Sequence, residues 1–451
     1  MKAYTISLFL FSTSVLGCSE YLDIRPDQSL AVPSTLNDLD AIMSNETRIN
    51  SLFPMAGDMA ADYYYLADND WRSLNEQTRD NYLFGQTLPV REGYWNASYV
   101  KVLDCNVVLE EVGQVALGTL TELDRVRIRG EALFVRAFAF YNLLVNYTQP
   151  YDAGSAGSTP GIPLRVTADI NAPSTRESLQ RSYDQLIQDL QFALEILPDR
   201  PSVKTKPGKA AAAALLSRVF LTTGDYDQAL TYAEMALSLN DVLINYNTLD
   251  TVAAGQFKTL NDEVIYHAVA DAANSSLGNA IARVDTVLYA SYHNNDLRKK
   301  IFFKTNARGV TGFYGDYAGN MVRPVFAGIA IDELYLTRAE CYARLGRIME
   351  AQADLDLLLF TRYRTGTYNA TGIPNDELLN SVLSERKKEL AFRLGIRWAD
   401  LKRFSKDTTH VKILNRVIDG KEYQLPETDA AFAFLIPFDV INLGGIEQNG
   451  R

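Results

Sequence analysis

The sequence predicts a mainly α-helical fold, in which helix pairs form the scaffold and long, loop-rich insertions interrupt them. Apolar residues recur at helical spacing from Leu123 to Tyr147, and this stretch is apolar on most sides near residues 134–144. A helix with that pattern is expected at the centre of the protein. Two other segments, around Gly224 and Gly346, each contain two amphipathic stretches joined by a short turn.

The remaining elements follow from the same periodicity and from turn residues. Ser174 and Glu177 have the spacing of a capping box and are expected to open a helix. Gly395 is a weak point in the last long helix, at a cost of about 1 kcal/mol relative to Ala, and Glu389 and Arg393 are expected to form an i,i+4 pair there. Few short strands are expected. The expected elements are helices at about 36–45, 95–109, 123–147, 174–197, 209–222, 226–239 and 380–404, and one short strand at 264–266.

The two glycine-centred segments have the pattern of tetratricopeptide hairpins. In residues 209–239, Gly224, Tyr226 and Ala229 occupy the positions of the turn glycine, the aromatic residue and the small residue of that repeat. Gly346 holds the turn position of the second segment, 122 residues further on. Tandem repeats of this kind recur about every 34 residues. The sequence therefore predicts tetratricopeptide-like helix pairs that are separated by long insertions.

The N-terminal 17 residues have the features of a short export signal. Lys2 precedes an apolar run that is too short to cross a bilayer comfortably, since about 20 apolar residues are needed. The run ends in Val15-Leu16-Gly17-Cys18, which resembles a bacterial lipobox. We therefore expect a lipoprotein-type signal peptide at 1–17, a lipid on Cys18 and an extended tether at 18–34. An ordinary signal peptide that is cut elsewhere is the alternative.

Composition and charge exclude several classes of function. The chain has 44 Lys and Arg against 55 Asp and Glu, a net charge of −11, which argues against binding to a nucleic acid backbone. Its three histidines and three cysteines form no H-E-x-x-H or C-x-x-C motif, so no metal and no cofactor are expected. Cys105 and Cys341 lie in helical apolar patterns and are expected to be buried free thiols.

Several motifs, each weak alone, together resemble the SusD/RagB family of outer-membrane nutrient-binding lipoproteins of Bacteroidetes. Two positions depart from the family pattern: Arg393 stands where Glu is common, and Gly450 follows Asn449 where the family has Pro. The matching segments are Cys18–Asp23, Trp95–Asn106, Arg129–Tyr141, Lys209–Tyr226, Asp296–Arg298, Glu340–Gly346, Arg386–Arg403, Ile436–Pro437 and Gln448–Asn449.

The resemblance implies a fold, a location and a partner. The mature chain would be one SusD-like domain over 35–451, with an N-terminal half at about 35–240 and a C-terminal half at about 241–451. It would be lipid-anchored in the outer membrane, facing the cell exterior. It would bind nutrient oligomers, with glycan favoured over peptide, and deliver them to a SusC/RagA-like TonB-dependent transporter. The resemblance implies no catalytic activity.

Two insertions, at 54–92 and 289–320, supply the chemistry that glycan capture needs. Aromatic rings cover the apolar faces of sugars, and amides or carboxylates bond their hydroxyl groups. The family carries its ligand residues in equivalent insertions. Each candidate has an alternative role as a packed loop residue or a transporter contact. The candidates are Tyr64, Tyr65, Asp68, Asn69 and Trp71 in the first insertion, and Tyr292, Asn294, Phe313, Tyr314 and Tyr317 in the second.

Other residues with the same chemistry are expected to be structural. Asp296 and Arg298 are expected to pair with each other, and Trp95 and Trp398 lie on helical faces that predict burial. Two other classes of function remain as alternatives. A lipidated glycoside hydrolase would need two carboxylates that flank the bond, and no barrel-like βα repeat places such a pair. A pure tetratricopeptide adaptor predicts tandem repeats and short loops, which this chain lacks.

Overall fold

The computed structural model of the 451-residue chain describes residues 33–85, 87–253, 255–272, 275–319, 324–370 and 372–451. The signal segment, Cys18 and all but the last two residues of the expected tether lie outside these ranges. In the part that is described, no helix combines the length and the hydropathy that crossing a bilayer requires. The described chain is mainly helical with only short strands, which confirms the predicted fold class.

The helices run through the whole described chain. They are α1 (Leu36–Met43), α2 (Glu46–Ile49), α3 (Ala56–Ala60), α4 (Asp68–Arg72), α5 (Glu76–Tyr82), α6 (Glu92–Glu111), α7 (Glu122–Tyr147), α8 (Leu179–Ile196), α9 (Lys209–Thr223), α10 (Tyr226–Leu239), α11 (Thr286–Ser291), α12 (Arg298–Phe302), α13 (Ile331–Arg344), α14 (Ile348–Arg362), α15 (Asn375–Glu389), α16 (Ile396–Phe404) and α17 (Phe438–Gly444).

The strands pair only as antiparallel two-stranded ladders within the described residues. The ladders are β1 (Tyr64–Tyr65) with β6 (Arg283–Val284), β2 (Pro160–Pro163) with β3 (Arg176–Ser178), β4 (Val264–Tyr266) with β10 (Ile329–Ala330), β5 (Val269–Asp271) with β9 (Pro324–Phe326), β7 (Phe303–Thr305) with β8 (Thr311–Phe313), and β11 (Asn415–Ile418) with β12 (Lys421–Gln424).

Helix α7 is the centre of the core, as its apolar pattern predicts. Every residue from Gly130 to Tyr147 is buried, and α6 and α8 pack on either side. A capping box of Thr121 and Asp124 opens the helix. At its other end the buried ammonium of Lys402 donates hydrogen bonds to three main-chain carbonyls, so the free end of the helix is satisfied.

The two predicted helix pairs are confirmed as α9–α10 and α13–α14. Gly224 and Gly346 form the turns with φ of 81° and 76°, a left-handed conformation that favours glycine. Helix α10 packs against α13, so the two hairpins stack although the sequence separates them. The residues inserted between the hairpins therefore project from one continuous helical scaffold.

Helix α8 begins five residues later than expected. Its cap is Ser178, whose hydroxyl accepts a hydrogen bond from the amide of Arg181, so the predicted capping box of Ser174 and Glu177 is wrong. The reason is tertiary: residues 176–178 pair with β2 before the helix starts. An extended strand and the first helical turn cannot use the same backbone groups.

The long helix expected at 380–404 is two helices, α15 and α16. Phe392 and Gly395 have φ of 61° and 77°, and their left-handed conformation turns the chain between α15 and α16. The predicted Glu389–Arg393 pair is therefore wrong. The guanidinium of Arg393 instead binds the carboxylate of Asp332 at 2.7 Å, so this departure from the family pattern has a structural partner.

A buried ionic cluster joins the second insertion to the C-terminal helices. Arg298 is fully buried and binds Asp296, Glu385 and Glu389 at 2.6–2.9 Å, which confirms that Asp296 and Arg298 form a structural pair. Arg362 binds Glu389 from the other side at 2.7 Å. Paired in this way, the buried charges hold the insertion to the scaffold.

The other residues that were expected to be structural are also in the core. Trp95 is 4% exposed and Trp398 is fully buried. Cys105 and Cys341 are buried free thiols on α6 and α13, and burial raises the pKa of both. Neither thiol is placed for thiolate chemistry.

Candidate functional site

The first insertion is folded rather than a loop. Residues 54–92 form α3, β1, α4 and α5, which are each too short to show a sequence period. The side chain of Asn75 accepts a hydrogen bond from the amide of Thr78 and caps α5. Asn81 on the same helix donates to the carbonyl of Ala56 at the start of α3, so the short elements support one another.

Strands β1 and β6 join the first insertion to residues 283–284, just before the second insertion, and β8 of the second insertion packs against β6. Tyr64 lies opposite Val284, and Tyr65 lies opposite Arg283. Because successive side chains of a strand point to opposite faces, one tyrosine faces the core and the other faces solvent. Tyr64 is 1% exposed and Tyr65 is 42% exposed. The exposed ring of Tyr65 therefore lies where the two insertions meet.

Three of the candidate tyrosines are core residues, so their rings offer no exposed face on which a sugar could stack. Tyr64, Tyr292 and Tyr317 are at most 1% exposed. The hydroxyl of Tyr64 bonds to Ser276, that of Tyr292 donates to the carbonyl of Lys388, and that of Tyr317 donates to a buried glutamate. Buried tyrosines usually satisfy their hydroxyls in this way.

Three further candidate rings are half-buried. Phe313 stacks on Phe392 with ring centroids 4.7 Å apart, so one of its faces is already covered. The indole of Trp71 donates to the carbonyl of Arg79, whose guanidinium lies 5.3 Å from the ring. Tyr314 follows β8, and its amide donates to the carbonyl of Phe302 at the end of α12. Trp71 and Phe313 thus contribute to packing as well as to the surface.

The polar candidates are divided between two places. Asp68 accepts a hydrogen bond from the amide of Asp419, and Asn69 accepts one from Arg72, so both belong to the surface around α4. Asn294 is exposed next to the bridge between Asp296 and Tyr363 at the end of α14. The described contacts therefore group Asp68 and Asn69 with the first insertion, and Asn294 with the helical scaffold.

A cavity of about 310 Å³ opens beside Tyr65, and we call it the Tyr65 pocket. Its volume is at the small end of the range for ligand pockets, about 300–1,000 Å³. It combines one exposed ring with charged and amide side chains. The pocket is lined by Asp62, Tyr64, Tyr65, Leu66, Tyr82, Asp285 and residues 412–417.

Arg416 of β11 fixes the wall of this pocket. Its buried guanidinium donates to the carbonyls of Ala60, Ala61 and Tyr64 at 2.6–3.3 Å. The same group lies 4.5 Å from the ring centroid of Tyr82, within cation–π range. One arginine thus docks the C-terminal hairpin onto the chain segment that carries Tyr65.

Asp62 lies at the base of the pocket among three cations. Arg397 binds it at 2.7 Å, Lys387 binds it at 2.8 Å, and Lys412 also donates to it. Burial would raise the pKa of Asp62, but the three cations outweigh this and hold it well below its usual range. Burial, together with the neighbouring Arg397 and Lys412, lowers the pKa of Lys387 to about 8 against the opposing effect of Asp62. The carboxylate of Asp62 therefore stays ionised and cannot act as a general acid.

A second shared carboxylate, Asp70, is bound to Arg283, the cross-strand partner of Tyr65. Arg283 binds Asp70 at 2.6 Å and Arg308 binds it at 2.7 Å. Burial would raise the pKa of Asp70, but the hydrogen bonds from the two arginines lower it. These ion pairs join α4 to β6 and to the segment before β8, so they hold the two insertions together.

Sequence reasoning missed the charged residues of this surface. Asp62, Arg283, Arg308 and Lys412 lie in four separate stretches of the chain, and no local pattern connects them. Arg416 left no signal in the sequence either, because residues 415–418 alternate between exposed and buried only in the structure, where the apolar Val417 is exposed and the arginine lies on the inward face. A charged residue on the buried face of a strand indicates a specific partner.

Another cavity, of about 590 Å³, lies between α6, the segment 163–174 and α17. Tyr99 lines it and donates its hydroxyl to the carbonyl of Pro163 at 2.9 Å. Its rim includes Ile170 and Leu443, which are 74% and 90% exposed. None of the sequence-predicted candidates lines this cavity. Within the described ranges, no cluster of His, Cys, Asp and Glu side chains is placed to hold a metal ion.

Two family models match the chain. The model described as "Starch-binding associating with outer membrane" matches residues 20–221, and the model described as "SusD family" matches residues 331–433. The first match ends within α9 and so includes part of the first helix hairpin. The second match begins at α13 and includes the whole of the second hairpin. The resemblance that the sequence motifs indicated is therefore confirmed.

Similar proteins extend over nearly the whole chain. The SusD-like protein P2 of Formosa agariphila is 24% identical, over 97% of this chain and 96% of the relative. A SusD superfamily protein of Bacteroides thetaiotaomicron superimposes with a TM-score of 0.73 at 19% identity, over 92% of this chain and 100% of that one. The surface glycan-binding protein A of Bacteroides uniformis does so with a TM-score of 0.68 at 15% identity, over 92% and 98%. These structural matches show that the fold is shared.

Proposed function

Because the chain belongs to the SusD/RagB family, we propose that it is a surface lipoprotein that binds nutrient glycans and passes them to a SusC/RagA-like TonB-dependent transporter. Cys18 would carry the lipid, and the domain at 35–451 would face the cell exterior at the outer membrane. The matching family model is described as starch-binding and associated with the outer membrane, which supports a glycan ligand and an outer-membrane location.

The observation that carries the proposal is the exposed ring of Tyr65 beside a polar pocket. Stacking on an aromatic ring removes the apolar face of a sugar from water, and polar groups close by can bond its hydroxyls. Tyr65 supplies the ring, and Asp285 and Asn415 are among the polar residues of the pocket. The backbone of Tyr65 is held by the pairing of β1 with β6, which limits the conformational entropy that is lost on binding.

The chemistry of the pocket favours binding without catalysis. Glycoside hydrolysis needs one carboxyl group that is protonated near neutral pH and a second that is ionised. The two carboxylates of the pocket are Asp62 and Asp285. Asp62 is held ionised by three cations, and Asp285 caps α11 by accepting from the amide of Leu288 at 2.9 Å. Neither is arranged as a general acid.

The proposal is tested with the mature chain, without residues 1–18, by calorimetry and affinity electrophoresis against a panel of polysaccharides. Tyr65→Ala should weaken binding about tenfold, because a stacked ring is worth about 1 kcal/mol beyond its buried area. Tyr65→Phe keeps the ring and should bind nearly normally. Phe192 is 51% exposed on α8, so Phe192→Ala is the matched control for losing a surface ring.

Two results would overturn the proposal. If Tyr65→Ala and Phe192→Ala bind as the unaltered protein does, the pocket is not the ligand site. If the bound glycan is cleaved, the protein is an enzyme. The transporter partnership has its own test, since a large barrel protein should co-purify with the tagged lipoprotein from outer membranes of the native host.

A further inference from the structure

The surface around Tyr65 carries a positive surplus, although the whole chain has a net charge of −11. Asp62 is shared by Arg397, Lys387 and Lys412, so one negative charge faces three positive ones. The three cations are not equivalent. The side chain of Arg397 is 8% exposed and that of Lys387 is 18% exposed, whereas that of Lys412 is 46% exposed. Lys412 therefore has a face that is free to meet a ligand.

The carboxylate of Asp70, which binds the cross-strand partner of Tyr65, is also outnumbered by cations. Asp70 is shared by Arg283 and Arg308, and its own side chain is 7% exposed. The side chain of Arg308 is 58% exposed, so it too presents an open face. Arg283 lies directly opposite Tyr65 in the β1–β6 ladder. Lys412 thus lines the same pocket as Tyr65, and Arg308 is linked through Asp70 to Arg283, the cross-strand partner of Tyr65; both cations are partly exposed.

The other charges nearby do not cancel the surplus. Arg416 adds a buried positive charge whose hydrogen bonds go to carbonyls. Arg72 and Asp419 bind each other and are neutral together. Asp68, Asp285 and Glu422, which accepts a hydrogen bond from Asn415 of the pocket, add three further carboxylates. Without the neutral pair, six cations face five carboxylates: Arg283, Arg308, Lys387, Arg397, Lys412 and Arg416 against Asp62, Asp68, Asp70, Asp285 and Glu422.

We propose that the ligand of the Tyr65 pocket is an anionic glycan, whose sugar carboxylates or sulfate esters bind Lys412 and Arg308 while a sugar ring stacks on Tyr65. The inference rests on the proposed function and specifies its substrate class. Hydrogen bonds between ionised partners are shorter and stronger than neutral ones, and so they reward a charged sugar over its neutral counterpart. The negative charge of the rest of the chain disfavours anions elsewhere on its surface and directs them to this one.

The experiment uses two pairs of polymers that differ only in charge. Polygalacturonate is compared with its fully methyl-esterified form, and dextran sulfate is compared with dextran. Binding to the mature chain is measured at 50 and 200 mM salt. At least one charged polymer should bind at least tenfold more tightly than its neutral partner, and that advantage should shrink at the higher salt because exposed charges are screened. Which pair responds distinguishes carboxylate from sulfate.

Charge-removing variants locate the effect. Lys412→Gln and Arg308→Gln should each weaken binding of the charged polymer about three- to fivefold, the usual size for one exposed ion pair. Both leave Asp62 and Asp70 with at least one cation, so the melting temperature should be nearly unchanged. Arg347→Gln is the matched control, since Arg347 is 45% exposed in the turn before α14 and also pairs with a carboxylate.

The outcomes separate this inference from the proposed function. If the neutral polymer binds as tightly as its charged partner, or if Arg347→Gln weakens binding as much as Lys412→Gln and Arg308→Gln, the inference is wrong. If only neutral polysaccharides bind and Tyr65→Ala abolishes that binding, the inference is wrong and the proposed function stands. If no glycan in either panel binds, both are wrong.

Discussion

Arg416 should hold both the stability of the first insertion and the position of Tyr65. The substitution Arg416→Met keeps the stem of the side chain and removes the guanidinium. Three main-chain carbonyls, of Ala60, Ala61 and Tyr64, then lose their donor at 2.6–3.3 Å. A buried acceptor that loses its partner costs about 1–3 kcal/mol, so at the low end the three together cost about 3 kcal/mol.

Two smaller effects at Arg416 oppose each other. The contact with the ring of Tyr82, at 4.5 Å, contributes about 1 kcal/mol that the variant loses. The Nε atom of Arg416 is buried without a hydrogen-bond partner, and removing it recovers an energy of similar size. The expected decrease in the free energy of unfolding therefore remains about 3 kcal/mol. The decrease is measured by urea denaturation, and glycan binding is measured on the same sample.

Lys402→Met is the matched control for this prediction. Lys402 is also a buried cation that serves three main-chain carbonyls, at 2.7–3.1 Å, but these lie at the end of α7. Its loss should cost a similar free energy of unfolding and leave glycan binding unchanged, whereas Arg416→Met should weaken both. A loss below about 1 kcal/mol for Arg416→Met, or equal losses of binding in the two variants, would refute the reasoning.

Three further perturbations test other parts of the structure. Burial alone would raise the pKa of Glu340, but Arg403, Arg344 and Arg386 lower it from the ordinary 4.5 to about 2. The ionised carboxylate therefore adds about 3 kcal/mol to the free energy of unfolding. This contribution is complete above pH 4.5 and is lost as the pH falls toward 2. Gly57→Ala should destabilise the protein by about 1–3 kcal/mol, because a Cβ atom there would lie 2.4 Å from Trp398. Cys18→Ala should release the protein from the membrane fraction or block its maturation, with glycan binding in solution intact.

Each of these predictions has a control. Glu340→Gln should remove the steepest part of the acid loss, and an unchanged pH profile in urea denaturation would contradict the assignment. Gly93→Ala places a methyl group in open helical surface and should stabilise the protein slightly, so a destabilising Gly93→Ala would undermine the steric argument at Gly57. Cys105→Ala should stay membrane-bound, and a Cys18→Ala protein that does so with an unchanged N-terminus would disprove the tether.

The helices could be predicted wherever periodicity is local and uninterrupted. Helix α10 begins and ends where the sequence predicts, and α7 and α9 do so within one residue. The start of α8 and the break before α16 could not be predicted. Each depends on partners far away in sequence: β2 pairs with the residues before α8, and Asp332 binds Arg393 in the turn before α16.

The candidate site divides in the same way. The sequence indicated two insertions, which the structure brings next to each other, and a run of three tyrosines, Tyr63 to Tyr65. It could not distinguish among the three, because the face of a strand that becomes exposed depends on the partner strand. Strand β6, more than 200 residues later, turns Tyr64 inward and leaves Tyr65 in solvent.

By itself, the sequence determined the family, the helical scaffold and the expectation of a lipid anchor, because these depend on local patterns and short motifs. Only the tertiary structure decided which ring is available and what charge surrounds it. Lys387, Arg397 and Lys412 approach Asp62 from more than 320 residues away, and no local pattern of the chain records their meeting. Packing of the C-terminal segments onto the first insertion turns an acidic chain into one with a cationic pocket.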